Sequence, residues 1–426
     1  MSGGHLQPPW LARRRANPSS HPIGLVFCLV GEGRASESAR SLARRQHVCY
    51  TENKGELFMF ELTNEQRKCF ALLPVDSNWI RMEVKPSPYD QHTTISYLDG
   101  TVLRKVILTG SNLYNEYEIC EQLTDDLQYL RPKTKKGKPV LLSAATLTKR
   151  TPIGMGLSYA RHSNGYSFID LCSHTSQKSY YSNSYEPIRS YGMHDFQQWV
   201  DAWCSETTQA DLADITRFSS ESRQHVKFRE GDVFRFKINR RLYGYGRILI
   251  DYALMRKKKE PFWDVLMGKP TVCSVYHIVT ERKDVTVDEL RGLDSLPSVH
   301  MMDNRLYYGD YEIIGNIPIG EHEDYPIMYG GSISALYRGV LLQCGKLYRK
   351  IDGGTALYNN FMNHGIGFNL NFQLAVLLEC IEKGSNDPYW AQDNWKVNCD
   401  LRNPKFRAEL ERVCKQFDIV PSDLMK

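Results

Sequence analysis

Two short apolar runs in the middle of the chain, residues 231–238 and 243–250, constrain its fold more than any other feature. In the first run, large apolar side chains alternate with cations, which is the period-two pattern of a strand with one buried face. The polar residues 239–242 between the runs suit a tight turn. The sequence therefore predicts a β-hairpin that opens a strand-rich module of its own. The buried positions of the first strand are predicted at Phe234, Phe236 and Ile238.

Two glycines distinguish the returning strand. Gly244 and Gly246 alternate with tyrosines, and they predict either a bulge or a close approach to the backbone at this point. A dinucleotide-binding loop would require a third glycine and a following helix, and the sequence has neither, nor does it contain a Walker lysine motif. We therefore interpret the glycines as residues that shape a sheet.

The charges are distributed unevenly along the chain. The 426 residues include 54 lysines and arginines and 49 aspartates and glutamates. Seven of the arginines and two of the glutamates lie in residues 1–50, which leaves the rest of the chain formally neutral. A nucleic-acid-binding domain usually carries a basic surplus, so the sequence argues against a nucleic-acid partner.

Residues 1–58 differ in composition from the rest of the chain, being rich in arginine and poor in carboxylates. Residues 54–56 can be encoded by a purine-rich stretch of the kind that recruits a bacterial ribosome, and Met59 follows at the spacing of a start codon. We hypothesise that translation begins at Met59 and that residues 1–58 are a non-native extension. The alternative is a genuine disordered tail.

The cysteines and the hydropathy pattern bear on the cellular compartment. The eleven cysteines are odd in number and include no C-x-x-C pair, which favours reduced thiols and a cytoplasmic protein. No run of about 18 apolar residues occurs, so no transmembrane helix and no membrane partner are expected.

The length favours two or three folding units, and we predict an α+β protein. Residues 59–218 are predicted to form an α+β domain with a helix from Asn112 to Leu130 and another from Asp195 to Trp203. A polar stretch, 219–224, is the predicted boundary.

Two further regions follow this boundary. Residues 228–319 are predicted to form a β-rich module with a curved antiparallel sheet. Residues 320–426 are predicted to be mainly helical, with one helix stopping at Gly384 and a last helix beginning at Asn403 and Pro404.

The conventional signatures of catalysis are absent from the sequence. It contains no H-x-H, H-E-x-x-H or paired-cysteine metal motif and no G-x-S-x-G nucleophile elbow. We interpret the densest ligand cluster, residues 321–324, as an exposed turn, and His277 as a hydrogen-bonded core histidine. We predict no metal, no cofactor and no catalytic residue. Two carboxylates distant in sequence can still meet in a cleft, so an enzyme remains an open alternative.

The chain is dense in tyrosine, with 25 in all. Tyrosine offers a large, rigid contact surface with a polar tip, which suits a protein-binding patch, although strand-rich proteins are also aromatic for packing reasons. The partner-binding candidates near the hairpin are Tyr243, Tyr245, Arg247, Tyr308 and Tyr311.

The hairpin and a later run resemble a known family. Gly231 to Phe234, the Tyr-Gly pairs at 243–246 before Arg247, and the run Ile313 to Ile319 look like the immunity protein 26 family, over about residues 228–319. The resemblance implies a bacterial immunity-type protein that binds and neutralises a toxin of a polymorphic toxin system. The family name is shared with a HocA-type phosphotriesterase, so a hydrolase of phosphotriester or related ester bonds is one alternative. A non-catalytic structural or regulatory protein is another.

Overall fold

A computed structural model describes most of the chain from Met59 onward. The predictions for residues 1–58 lie outside the described residues. The described residues are 59–84, 92–131, 134, 136–189, 192–262, 270–331, 339–359, 361, 370 and 372–425.

The segment from residue 59 to residue 219, which we call the N-terminal unit, contains an antiparallel ten-stranded sheet. Seven strands run in the order β1-β2-β3-β4-β7-β8-β10, while β5 pairs with β4 and β6, and β9 pairs with β8. The strands are β1 Ile80–Val84, β2 Thr93–Asp99, β3 Val102–Gly110, β4 Leu113–Leu123, β5 Tyr129–Arg131, β6 Val140–Leu141, β7 Ile153–Arg161, β8 Tyr166–Ser173, β9 Lys178–Ser182 and β10 Ile188–Arg189.

Four helices accompany this sheet. Side chains of Thr63 and Thr208 cap two of them, each satisfying a backbone N–H that has no partner within the helix. The predicted helix at 195–203 is confirmed, and its aromatic side chains pack onto the sheet. The helices are α1 Asn64–Cys69, α2 Ala144–Leu147, α3 Met193–Ser205 and α4 Gln209–Ser219.

The helix predicted from Asn112 to Leu130 is wrong, because most of this segment is the central strand β4. Both faces of β4 are buried: Tyr114 belongs to one apolar core, and Tyr117 and Ile119 belong to the core on the opposite face. Glu116 is also fully buried, although a charged residue in a strand usually indicates a solvent-exposed face. A strand covered on both sides lacks the alternation that distinguishes a strand from a helix.

The central module contains the predicted hairpin within an antiparallel five-stranded sheet, ordered β14-β13-β12-β11-β15. Its strands are β11 Asp232–Lys237, β12 Tyr243–Asp251, β13 Pro270–Thr280, β14 Val299–Met302 and β15 Glu312–Asn316. Three short helices connect them, namely α5 Tyr252–Lys258, α6 Val287–Leu290 and α7 Asn304–Tyr307. The prediction of a strand-rich antiparallel module is confirmed.

The two hairpin glycines provide space for phenylalanine rings. Gly246 lies opposite Phe234 in the register, and Gly244 lies opposite Phe236. A Cβ atom added at either glycine would approach the facing ring to 2.5 Å, and at Gly246 it would also lie 2.6 Å from the carbonyl oxygen of Ser274. The pairing of β12 with β13 shifts register between the two glycines. Both predicted features, the bulge and the close approach, are confirmed.

A third, three-stranded antiparallel sheet precedes the C-terminal helices and was not predicted from the sequence. Its inward side chains pack with the last helix in one apolar core, although glycines interrupt the apolar runs. The strands are β16 Ile327–Gly331, β17 Gly339–Cys344 and β18 Leu347–Asp352. The helices are α8 Leu374–Lys383, α9 Asp387–Trp390, α10 Trp395–Asn398 and α11 Arg407–Gln416. Helix α8 ends at Gly384 in the left-handed conformation, as predicted. The chain thus has an α+β fold.

Candidate partner-binding surface

Three of the five predicted contact residues are buried in the central module. The exposed fraction is 5% for Tyr243, 0% for Tyr245 and 4% for Tyr311. The Tyr245 hydroxyl donates to the carbonyl oxygen of Arg282 at 2.7 Å, which holds a loop over the sheet. In this conformation these rings support the module and offer little area to a partner.

Arg247 lies on the same face of the sheet as Tyr243 and Tyr245, which we call the tyrosine face. Its guanidinium already has partners within the chain. It donates to the carbonyl oxygen of Pro318 at 3.0 Å and forms an ion pair with Glu323. Both side chains of this pair are largely buried, with exposed fractions of 11% and 15%. Arg247 therefore joins β12 to the segment that follows β15.

The hairpin turn docks onto the N-terminal unit. The guanidinium of Arg240 lies 4.3 Å from the ring centre of Trp203 and donates to the Trp203 carbonyl oxygen at 3.0 Å. Arg241 forms an ion pair with Asp211 at 2.7 Å, and this hydrogen bond is the main reason why the pKa of Asp211 lies well below its usual range. The polar turn predicted from the sequence therefore forms contacts within the protein.

Asp214 of helix α4 extends this contact to the tyrosine face of the sheet. Its carboxylate accepts from Lys237 at 3.0 Å, from Lys283 at 2.8 Å and from the Tyr180 hydroxyl at 3.0 Å. Burial lowers the pKa of Lys237 to about 8, although the neighbouring Asp214 favours the charged amine. The side chains of α4 thereby neutralise cations on one edge of the module.

Tyr311 lies at the boundary of the two units. Its hydroxyl is 3.0 Å from that of Tyr185, and its ring stacks on Phe234 with 5.4 Å between ring centres. Burial raises the pKa of Tyr311 to about 12. A small crevice lies beside these rings, and the Arg305–Asp310 ion pair and several serines contribute to its lining.

Tyr308 differs from the other candidates because it belongs to a solvent-accessible cluster, which we call the Tyr308 surface: Arg223, His225, Tyr307 and Tyr308. The guanidinium of Arg223 lies 4.6 Å from the ring centre of Tyr308 and donates to its hydroxyl at 2.6 Å. The imidazole of His225 stacks on Tyr307 with 4.6 Å between ring centres and an interplanar angle of 18°. Arg223 and His225 are exposed, and both tyrosines are half-buried.

The hairpin, its glycine-to-phenylalanine contacts and strand β15, which closes the sheet, lie in one stretch of sequence. Residues 229–336 match the Immunity protein 26 family. This agrees with the resemblance over 228–319 and extends beyond it through β16. The match covers about a quarter of the chain. No curated protein and no solved structure matched the chain.

No group of three or more histidine, cysteine, aspartate or glutamate side chains that could hold a metal ion occurs among the described residues. Within 321–324, Glu323 turns to Arg247 and Asp324 turns to Arg402. His277 is hydrogen-bonded to Asn386 at 3.0 Å, as predicted, but it is half-buried and does not lie in the core.

All nine cysteines in the described segments are free, and burial raises the pKa of the Cys172 and Cys273 thiols to about 12. No helix among the described residues is long and apolar enough to span a membrane.

The residues predicted from the sequence include Tyr308 but not the neighbours that surround it. Arg223 belongs to the polar stretch interpreted only as a boundary, His225 directly follows that stretch, and Tyr307 is one of many tyrosines. A signal was nevertheless present: cations and a histidine occupy every second position from Arg223 to Arg229. That spacing places them on one side of an extended chain.

Proposed function

We propose that this chain is an immunity-type protein that neutralises a toxin of a bacterial polymorphic toxin system by binding to it. The observation that carries the proposal is the match of residues 229–336 to Immunity protein 26. The nine free thiols suit a reducing compartment, and we place the protein in the cytoplasm.

Binding would depend on a preformed surface. The buried tyrosines Tyr243, Tyr245 and Tyr311 hold the framework, and we assign the direct contact to the Tyr308 surface. Arginine and tyrosine are the residue types that most often dominate binding energy at protein interfaces. Here the stacking of Arg223 on Tyr308 orders a flexible side chain before a partner arrives, which reduces the entropy lost on binding.

The test is co-expression with the toxin encoded beside the gene in the native genome. The full chain should restore growth of a host that expresses the toxin, and the two proteins should co-purify as a stable complex. The double variant Arg223→Ala/Tyr308→Ala should weaken the complex by a factor of about ten or more while leaving the far-UV circular dichroism unchanged. Failure of the unmodified chain both to restore growth and to bind would overturn the proposal.

A further inference from the structure

The connector between the N-terminal unit and the matched region, residues 229–336, exposes its cations. From residue 223 to residue 229 it contains no helix or strand, and burial alternates along it from His225 onward, whereas Gln224 is exposed. Val226 and Phe228 are partly buried, and the amide of Val226 donates to the carbonyl oxygen of Tyr307 at 2.7 Å. The residues at the alternate positions, Arg223, His225, Lys227 and Arg229, are exposed. The connector therefore presents a row of basic side chains to solvent.

The charges in this row are compensated less completely than those of the neighbouring sheet. On the hairpin, the side chains of Arg235, Lys237, Arg240, Arg241 and Arg247 each form an ion pair with a carboxylate. By contrast, neither Arg223 nor Lys227 lies within ion-pair distance of a carboxylate in the described parts of the chain. Arg229 contacts Asp232 at 3.6 Å with most of its own side chain in solvent.

Aromatic residues lie beside the row of basic side chains and hold two of them in place. Arg223 and His225 are held against Tyr308 and Tyr307 by stacking, and Arg223 also by a hydrogen bond. Cations that stand beside side chains fixed on aromatic rings combine electrostatic attraction with apolar contact area, as binding surfaces do.

We propose that the Tyr308 surface, together with Lys227, recognises an extended acidic segment of the protein partner. This inference rests on the proposed function and specifies the chemistry of the partner. Side chains two residues apart on an extended chain are about 6.4–6.8 Å apart on the same side, so a partner strand with a carboxylate at every second residue matches the row in spacing. The formal neutrality of residues beyond the first 50 favours an acidic protein over nucleic acid, which requires a broader basic surface.

The inference is tested with the full chain and a defined probe, a fluorescein-labelled peptide of alternating glutamate and tyrosine, followed by fluorescence anisotropy. The peptide should bind, and binding should weaken as salt increases, because the attraction is electrostatic. A peptide of alternating lysine and tyrosine should bind at least tenfold more weakly than the glutamate peptide. Stronger binding of a single-stranded oligonucleotide than of the glutamate peptide would overturn the inference.

A matched pair of variants locates the site. Arg223→Glu/Lys227→Glu reverses two charges on the row, and Lys138→Glu/Lys149→Glu reverses two exposed lysines of the N-terminal unit with the same change in net charge. The first variant should lose about tenfold or more in affinity for the glutamate peptide, and the second should change it less than twofold. Equal losses in both variants would show a non-specific charge effect and overturn the inference.

The same variants distinguish this inference from the proposed function. If the toxin binds the unmodified chain and the Arg223→Glu/Lys227→Glu variant equally, the acidic-segment inference fails and the immunity function stands. If the toxin binds neither protein while the glutamate peptide binds only the unmodified chain, the proposed function fails and the row remains an acid-binding surface.

Discussion

The N-terminal unit and the central module both cover an antiparallel sheet with other elements, but their cores are fixed by opposite means. In the N-terminal unit, the fully buried carboxylate of Glu116 accepts from Arg67 at 2.8 Å and from the Tyr114 hydroxyl at 2.6 Å, and it forms an ion pair with buried Lys105. In the central module, Phe234 and Phe236 fill spaces left by two glycines. The comparison shows that buried ion pairs around Glu116 fix the core of one unit, and we call this the charge-based lock. The fit of phenylalanine rings against glycines fixes the core of the other, and we call this the shape-based lock.

The charge-based lock depends on each of its members. Burial disfavours an ionised Glu116, but Lys105 and Arg67 keep the pKa of its carboxyl below the usual value. Burial lowers the pKa of Lys105. Removing one partner from such a group leaves an uncompensated charge away from water, which costs more than the ion pair contributes.

The largest effect is therefore expected for Glu116→Gln, which leaves two buried cations facing a neutral amide. We expect a loss of about 3–5 kcal/mol in the free energy of unfolding, measured by urea denaturation. The control is Glu83→Gln, because more than half of the Glu83 side chain is exposed. A loss below about 1 kcal/mol would contradict the charge-based lock.

The shape-based lock is tested by Gly246→Ala. The added methyl group would overlap the Phe234 ring and the Ser274 carbonyl oxygen, so we expect a loss of about 1–3 kcal/mol in the same measurement. Gly331→Ala in β16 is the matched control, since among the described residues other than its chain neighbours the nearest atom would lie 4.0 Å from its added Cβ. Equal losses at the two glycines would show that the ring contact is not the cause.

The contact between the two units is probed by Arg240→Ala. This change removes the stacking on Trp203 and the hydrogen bonds to its carbonyl oxygen and to Thr207, and we expect a loss of about 1–2 kcal/mol. The tryptophan fluorescence of the folded protein should also change. Arg407→Ala at an exposed helix position serves as the control. An unchanged stability would mean that the hairpin turn only rests on the N-terminal unit.

The smallest effect concerns pH and His174 of the N-terminal unit. Burial lowers the pKa of His174 to about 4, so the unfolded chain binds this proton more readily between that value and an ordinary pKa of about 6.5. The stabilising contribution is complete above about pH 6.5 and is lost as the pH falls toward 4, with a magnitude of about 1–2 kcal/mol after allowance for partial exposure. In His174→Gln the pH dependence of urea unfolding should be flatter over this range. Identical pH profiles would disprove the assignment.

The sequence predicted those elements whose pattern is local. The hairpin was predictable because its two faces differ in polarity, and helix α8 was predictable because Gly384 ends it. Strand β4 was misassigned because both of its faces are buried and its most informative residue, Glu116, is a buried carboxylate. No local rule assigns a glutamate to a core when its two cationic partners are distant in the sequence.

At the candidate site, too, only the local features could be predicted from the sequence. Tyrosine content made Tyr308 and Tyr311 candidates alike, but composition cannot separate a buried ring that supports a core, such as Tyr311, from a half-buried ring at the surface, such as Tyr308. That distinction depends on which residues pack against each ring. The docking of Arg240 and Arg241 on Asp211 and Trp203 was also unpredictable, because it joins segments from different units.

The core around Tyr185 has a consequence for how such a chain can be divided or recombined. Tyr185 of the N-terminal unit stacks on Phe372 of the C-terminal region with 4.7 Å between ring centres, and both belong to the apolar core that contains Phe236. A fragment cut at the limits of the family match, 229–336, would lose the aromatic partners on both sides of that core. We expect the excised fragment to aggregate, so the limits of the match are not the limits of an independent folding unit.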